Sequence, residues 1–316
     1  MKYYLILLLL PSVLWSQNNI SQRINNSPYP FSSPIDSLIV IYDEDFSEEE
    51  LFTIEILQGQ LAKHKPSIYR DIGTGSSVWI NDLEENYNIV TDYNYSGNFL
   101  SILSKFKSSI DGYILYDSTS VNKAISLCAV LNAIPIKEEQ LDYMNNLDII
   151  FLDDARNYTF ERILKEYSDD LNERIIIYQN PYKKLFLADY SVFTNSINFF
   201  DTLSSDLTTS FFSRMNPNSI LLGASEDDEY QTIKKATENL IITQMADYAV
   251  NLSTLTNINT EISQNYHELN FNEFDNAHTV CFVITDGDNI QWLLNWFYTD
   301  NRWFGNNKRG KIDIGW

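Results

Sequence analysis

Asp286-Gly287-Asp288-Asn289 sets two carboxylates and an amide within four residues, one residue after the uncharged run Val280-Cys281-Phe282-Val283-Ile284. Three chemistries suit such a group. Paired carboxylates can cleave a glycosidic bond when they stand about 5–5.5 Å apart (retention) or roughly 6.5–9.5 Å apart (inversion). Two Asp and one Asn are also hard oxygen donors of the kind Ca²⁺ or Mg²⁺ prefers, although three oxygens fall short of a full calcium site. The third role is structural: Asp-Gly makes a turn, and Asp288 or Asn289 caps a helix opening at Ile290. The alternatives stay open at this point.

An element must hold this group. The apolar run reads as a buried strand, and the following Ile290, Trp292, Leu293, Leu294, Trp296 and Phe297 read as an apolar helix. Ligands of α/β sheets and βα-barrels bind at the carboxyl ends of strands, where Asp286 and Asp288 fall. Gly287 permits the tight turn that would aim both carboxylates into one cleft. Trp292 and Trp296, four apart, could form a sugar platform or simply pack in a core. Glu229, Asp247 and Asn251 are further polar candidates that solvated helix faces would also explain. His64, His267 and His278 lack ligand spacing, and no nucleophile–His–Asp constellation is recognisable. No metal is assigned; a divalent cation at Asp286 and Asp288 is the one cofactor the donor set suits.

The chain as a whole narrows the partners. A formal net charge of −21 with no basic stripe excludes a phosphate backbone as partner. An acidic chain with 20 Tyr among 14% aromatics is compatible with neutral, hydroxyl-rich ligands such as sugars. Residues 1–16 read as an export leader: Lys2 precedes the apolar run Tyr4–Leu14, which is too short to span a membrane, and cleavage is expected after Ser16. The protein is therefore expected to be secreted or periplasmic, with no membrane span. Cys128 and Cys281 both lie in apolar surroundings and read as buried free thiols.

Residues 17–34 are polar and Pro/Ser/Asn-rich, a linker. Strands are expected at Ser37–Asp43, Ser67–Asp71, Asn88–Tyr93 and Gly112–Asp117. Helices are expected after a capping box at Ser47/Glu50 and over Leu100–Phe106 and Val121–Ala133. Leu147–Asp154, Arg174–Asn180 and Ser219–Ser225 continue the strand pattern, with a helix over Tyr158–Tyr167. One long or two short helices should fill residues 226–255. This alternation predicts parallel sheets covered by helices. Gly73–Ser76, GTGS, reads as a turn, because it lacks a strand–helix context and the third glycine of a dinucleotide fingerprint. The expected fold is α/β: two three-layer units, 35–136 and 137–258, followed at 259–316 by the start of a βα-barrel-like domain too short to close a core and incomplete as an enzyme.

Several segments together resemble the GxGYxYP family, secreted bacterial proteins classed as glycoside hydrolase-like. They are Leu57-Gln58-Gly59 with Pro66–Tyr69, then GYILYDSTSVNKAISLCAVLNAIPI, GASEDDEYQTIKKAT with MADYAVNLSTL, and VITDGDNIQWLLN with KRGKIDIGW. The naming motif itself does not occur within these 316 residues. The resemblance implies a carbohydrate-processing protein acting on a poly- or oligosaccharide. Asp286 and Asp288 would be the catalytic carboxylates, and Asn289, Trp292, Glu229, Asp247 and Asn251 the substrate-binding candidates. The rivals are a non-catalytic glycan-binding protein and a metal-dependent, polysaccharide deacetylase-like hydrolase, for which the expected His pair is missing.

Overall fold

Leu38-Ile39-Val40-Ile41 alternates between two cores. In the computed structural model, Ile39 and Ile41 face one apolar cluster while Leu38 and Val40 face another, as the two-residue period of a strand requires. The structure describes residues 29–30, 32–73, 76–224, 229–246, 248–258, 300–302 and 305–308. The expected leader, most of the linker and the 286–292 segment lie outside them. The chain divides after Asn259, and every helix and strand described below belongs to the first unit.

Three parallel sheets make up that unit. The first holds β1 (Ser37–Tyr42), β2 (Ile68–Asp71) and β3 (Val90–Asp92) in the order β2-β1-β3. The second holds β4 (Gly112–Leu115), β5 (Ala133–Ile136) and β6 (Phe151–Asp154) in the order β5-β4-β6. The third holds β7 (Ile175–Tyr178), β8 (Ile197–Phe199), β9 (Ile220–Gly223) and β10 (Ile242–Gln244) in the order β10-β9-β7-β8. The α/β class with parallel sheets is thus as the sequence predicts. The division differs: the boundary expected between 136 and 137 runs through one sheet, because β6 pairs with β4.

Ten α-helices are described: α1 (Glu48–Ala62), α2 (Ser77–Tyr87), α3 (Phe99–Phe106), α4 (Val121–Leu131), α5 (Leu141–Leu147), α6 (Phe160–Tyr167), α7 (Ala188–Phe193), α8 (Asp206–Arg214), α9 (Glu229–Glu238) and α10 (Leu252–Leu255). Local chemistry sets many of their ends. Ser47 and Glu50 form the reciprocal capping box at the start of α1. Asn88, Asn132 and Asp148 end α2, α4 and α5 in left-handed backbone, which short polar side chains tolerate. Two expectations need correction. Residues 226–255 do hold two short helices, α9 and α10, but the strand β10 lies between them and joins the sheet through β9, because edge pairing outweighed a weak helical pattern. GTGS does sit between a strand, β2, and a helix, α2; the strand was expected, but α2 buries only Ile80 and Leu83, too few apolar residues to reveal the helix.

α1 is the centre of the unit. All its residues from Leu51 to Ala62 are buried, polar ones included, which marks a helix enclosed on every side. It packs on α7, β5, α10 and α4. One continuous apolar cluster carries Ile39, Ile114 and Ile176, one residue from each sheet, together with Phe52, Ile56 and Leu57 of α1. Among the described residues no helix is long and apolar enough to cross a membrane.

Candidate functional site

Of the residues singled out from sequence, Asp286, Asp288, Asn289, Trp292 and Asp247 lie outside the described residues. Glu229 is exposed at the first position of α9. Asn251 is 2% exposed and not on a solvated face. Its Oδ1 accepts from the Arg70 N–H (2.8 Å) and from Gln58 Nε2 (2.7 Å), and its Nδ2 donates to the Arg70 carbonyl oxygen (2.9 Å). Both the carbonyl oxygen and the amino group of that amide are therefore engaged by the protein itself.

Asn251 belongs to a buried polar network joining α1, β2, α7 and α10. The Arg70 guanidinium, at 2% side-chain exposure, forks onto Asp43 (Nε–Oδ1 3.1 Å, Nη2–Oδ2 2.5 Å). It also donates to Glu55 Oε2 (2.7 Å) and the Leu185 carbonyl (2.9 Å). The other Glu55 oxygen accepts from the Ala188 and Asp189 N–H groups at the start of α7. Burial pushes the Glu55 carboxyl up to about 8, against the pull of Arg70. Asp189 is also raised by burial, and its Oδ2 accepts from Ser253 N–H and Oγ. All of these side chains except Asp43 are almost fully enclosed, so the network holds the unit together and offers nothing to a ligand.

The carboxyl ends of the strands are the places to look for a ligand. At the first sheet, Tyr42 and Tyr93 stand side by side, ring centroids 5.9 Å apart and both about two-fifths exposed. The carboxylates around them are already used. Asp45 accepts from Ser96 Oγ (2.5 Å), Asp71 from Ser76 Oγ and the Gly73 N–H, and Asp92 from the Asn94 N–H and side chain. That edge is built of turns rather than around a cavity.

The second and third sheets differ. Between the β4–α4 connection and the segment after β7 lies a crevice of about 160 Å3, lined by Ser118, Thr119, Val121, Asn122, Lys123, Phe160, Pro181 and Phe200. Asp117 organises its rim: Oδ1 accepts from the Thr119 N–H (2.9 Å), Thr119 Oγ1 (2.8 Å) and Ser120 Oγ (2.8 Å). Partial burial works against the ionised form, but these donors hold the Asp117 carboxyl below its usual range. The floor is cross-braced. Asn122 Nδ2 donates to the Gln179 carbonyl (2.8 Å) and to Asn198 Oδ1 (2.6 Å), and Asn198 Nδ2 donates to Gln179 Oε1 (2.6 Å). This chain of amides ties the first turn of α4 to the ends of β7 and β8. Lys123 Nζ donates to the Tyr158 carbonyl (2.9 Å). Sequence reasoning missed this place, although a strand followed by Asp-Ser-Thr-Ser and then a helix is the pattern that marks it.

Among the described residues no group of His, Cys, Asp or Glu is arranged to hold a metal ion. Cys128 is fully buried and free, its thiol pushed well up by burial; Cys281 lies outside the described residues.

Four family models match the chain in order. They are described as "GxGYxYP_N 1st domain" (residues 37–108), "GxGYxYP_N second domain" (110–171), "GxGYxYP third domain" (173–257) and "GxGYxYP putative glycoside hydrolase C-terminal domain" (276–316). The first three each enclose one of the three sheets. Among solved structures, the chain is similar to a "putative hydrolase" from Bacteroides thetaiotaomicron, with 24% sequence identity and a TM-score of 0.69. The likeness covers 91% of this chain and 58% of that one, so this chain spans little over half of its length. At that identity the likeness shows the fold. No curated protein matches the chain.

Proposed function

The chain belongs to the GxGYxYP family, and from that premise we propose that it is an exported carbohydrate-processing protein that hydrolyses a glycosidic bond with the Asp286 and Asp288 carboxylates. The observation carrying this reading is the match of residues 276–316 to the model described as a glycoside hydrolase C-terminal domain. Both carboxylates fall inside it, at the tip of an apolar run. In such chemistry one carboxyl group protonates the leaving oxygen, while the other attacks the anomeric carbon or activates water. Lys2 and the apolar run Tyr4–Leu14 support export.

The test is a glycan hydrolysis screen on the full-length protein, with Asp286→Asn and Asp288→Asn beside it. Asn keeps shape and turn preference but loses the charge, so a catalytic Asp286 should lose about 10²–10⁴-fold in turnover at unchanged melting temperature. Asp288→Asn should lose turnover likewise; because Asn caps helices as well as Asp, a parent rate in that variant would show that Asp288 only caps the helix. Hydrolysis by Asp286→Asn at the parent rate would remove that residue from the site.

A further inference from the structure

We infer that the crevice between the second and third sheets is a binding site for one pyranose ring of a glycan. The choice of a sugar rests on the carbohydrate reading above; the existence of a site rests on the crevice itself.

The volume comes first. About 160 Å3 is on the order of ten times the ~10–15 Å3 that one ordered water requires. It suits one small ring rather than a length of chain. The lining comes next. Phe160, Phe200, Pro181 and Val121 give apolar wall, while Ser118, Thr119 and Lys123 give hydrogen-bonding groups on the same rim. A sugar ring needs both: apolar C–H faces against rings, and hydroxyls met by a few fixed polar atoms. Ser118 is exposed and next to Thr119, whose hydroxyl is turned onto Asp117. Thr119 Oγ1 can accept from a ligand while donating to that carboxylate. The Lys123 ammonium, with one donor on Tyr158, has donors left for a sugar oxygen.

The crevice is also rigid. Asn122, Asn198 and Gln179 are buried and hydrogen-bonded to one another across the two sheets. The walls on α4 and after β7 are therefore held at a fixed separation without a ligand. A cleft kept open by a buried amide chain binds without an ordering cost.

The experiment is a calorimetric titration of the protein with methyl glycosides of glucose, galactose, mannose, N-acetylglucosamine and glucuronic acid. One of them should bind at a single site with millimolar affinity, and comparing glucose with glucuronate shows whether Lys123 favours a carboxylate. Lys123→Met should weaken that binding roughly tenfold, the worth of one good hydrogen bond to a charged donor. Ser118→Phe changes an exposed side chain and fills the mouth without touching the core, and should abolish binding at an unchanged melting temperature. Absence of binding by all five sugars overturns the inference, as does binding that both variants leave unchanged. Hydrolysis is scored separately. Crevice-dependent binding without hydrolysis keeps this site and sinks the catalytic reading; hydrolysis without crevice-dependent binding does the reverse.

Discussion

Asn251 and Arg70 are joined as two strands would be: the Asn251 side-chain amide accepts from the Arg70 N–H at 2.8 Å and donates to the Arg70 carbonyl at 2.9 Å. β2 is the edge of the first sheet, and the amide satisfies both backbone groups of its third residue where no neighbouring strand does. Asn251 itself has φ 59°, a left-handed conformation that Asn tolerates better than most residues. Asn251→Ala should destabilise the protein by about 2–4 kcal/mol, since it orphans the buried Arg70 N–H and carbonyl at roughly 1–3 kcal/mol each, while Gln58 keeps the Ile68 carbonyl and Thr254 Oγ1. Denaturant unfolding measures this. Glycan affinity lost while stability is kept would instead return Asn251 to the list of ligand-binding residues.

At Gly59, α1 and α7 approach closely. A Cβ there would lie 2.2 Å from the Asp189 carbonyl oxygen, which is backbone and cannot swing away. Gly→Ala within a helix ordinarily gains up to about 1 kcal/mol. Here overpacking costs roughly 1–3 kcal/mol or more, so Gly59→Ala is expected to lower the melting temperature. A rise would mean that the two helices separate freely.

Glu55 predicts a pH dependence opposite to that of most carboxylates. Its folded-state pKa is raised by burial to about 8 from 4.5. Between those values the folded protein holds a proton that the unfolded chain has released. Stability from this group is therefore full below pH 4.5 and falls as pH rises toward 8, at no more than about 1.4 kcal/mol per pH unit. Glu55→Gln mimics the protonated form and should flatten the decline between pH 5 and 8. A decline that persists in Glu55→Gln would place its origin elsewhere.

Ser47→Ala removes one half of the capping box at the start of α1. Ser47 Oγ accepts from the Glu50 N–H (3.3 Å), and Glu50 Oε2 accepts from the Ser47 N–H (2.9 Å). A loss of about 1 kcal/mol is expected. Ser47→Asp should recover most of it, because Asp caps as well and favours the positive end of the helix. Chemical denaturation of the three proteins makes the comparison.

Local rules made much of the fold legible. β1 is an apolar run bounded by polar residues, α1 opens on its capping box, and strand–helix alternation requires parallel pairing. The short strands were harder. β5, β8 and β10 have three or four residues each, too few to show a period. Whether such a segment pairs is decided by the neighbour it meets. Ile242–Gln244 became a strand because β9 offered a free edge.

The motif Leu57-Gln58-Gly59 with Pro66–Tyr69 shows the same limit at the level of role. The sequence displayed it as a family signature without a reason for it. In the structure Gln58 Nε2 reaches the Ile68 carbonyl (3.0 Å) and Gly59 lets α7 close in, so the signature is an assembly motif.

By itself, the sequence determined the α/β class, the parallel pairing, the main caps and the family, because each is written in short-range patterns of apolar, capping and turn residues. Only the tertiary structure decided that the strands form three sheets, that Asn251 is enclosed, and that Ser118, Thr119 and Lys123 meet Phe160, Pro181 and Phe200 around one crevice. Those residues come from segments as far apart as Ser118 and Phe200 in the chain. Their meeting depends on how whole sheets pack around α1, a sum of many weak apolar contacts that no local pattern encodes.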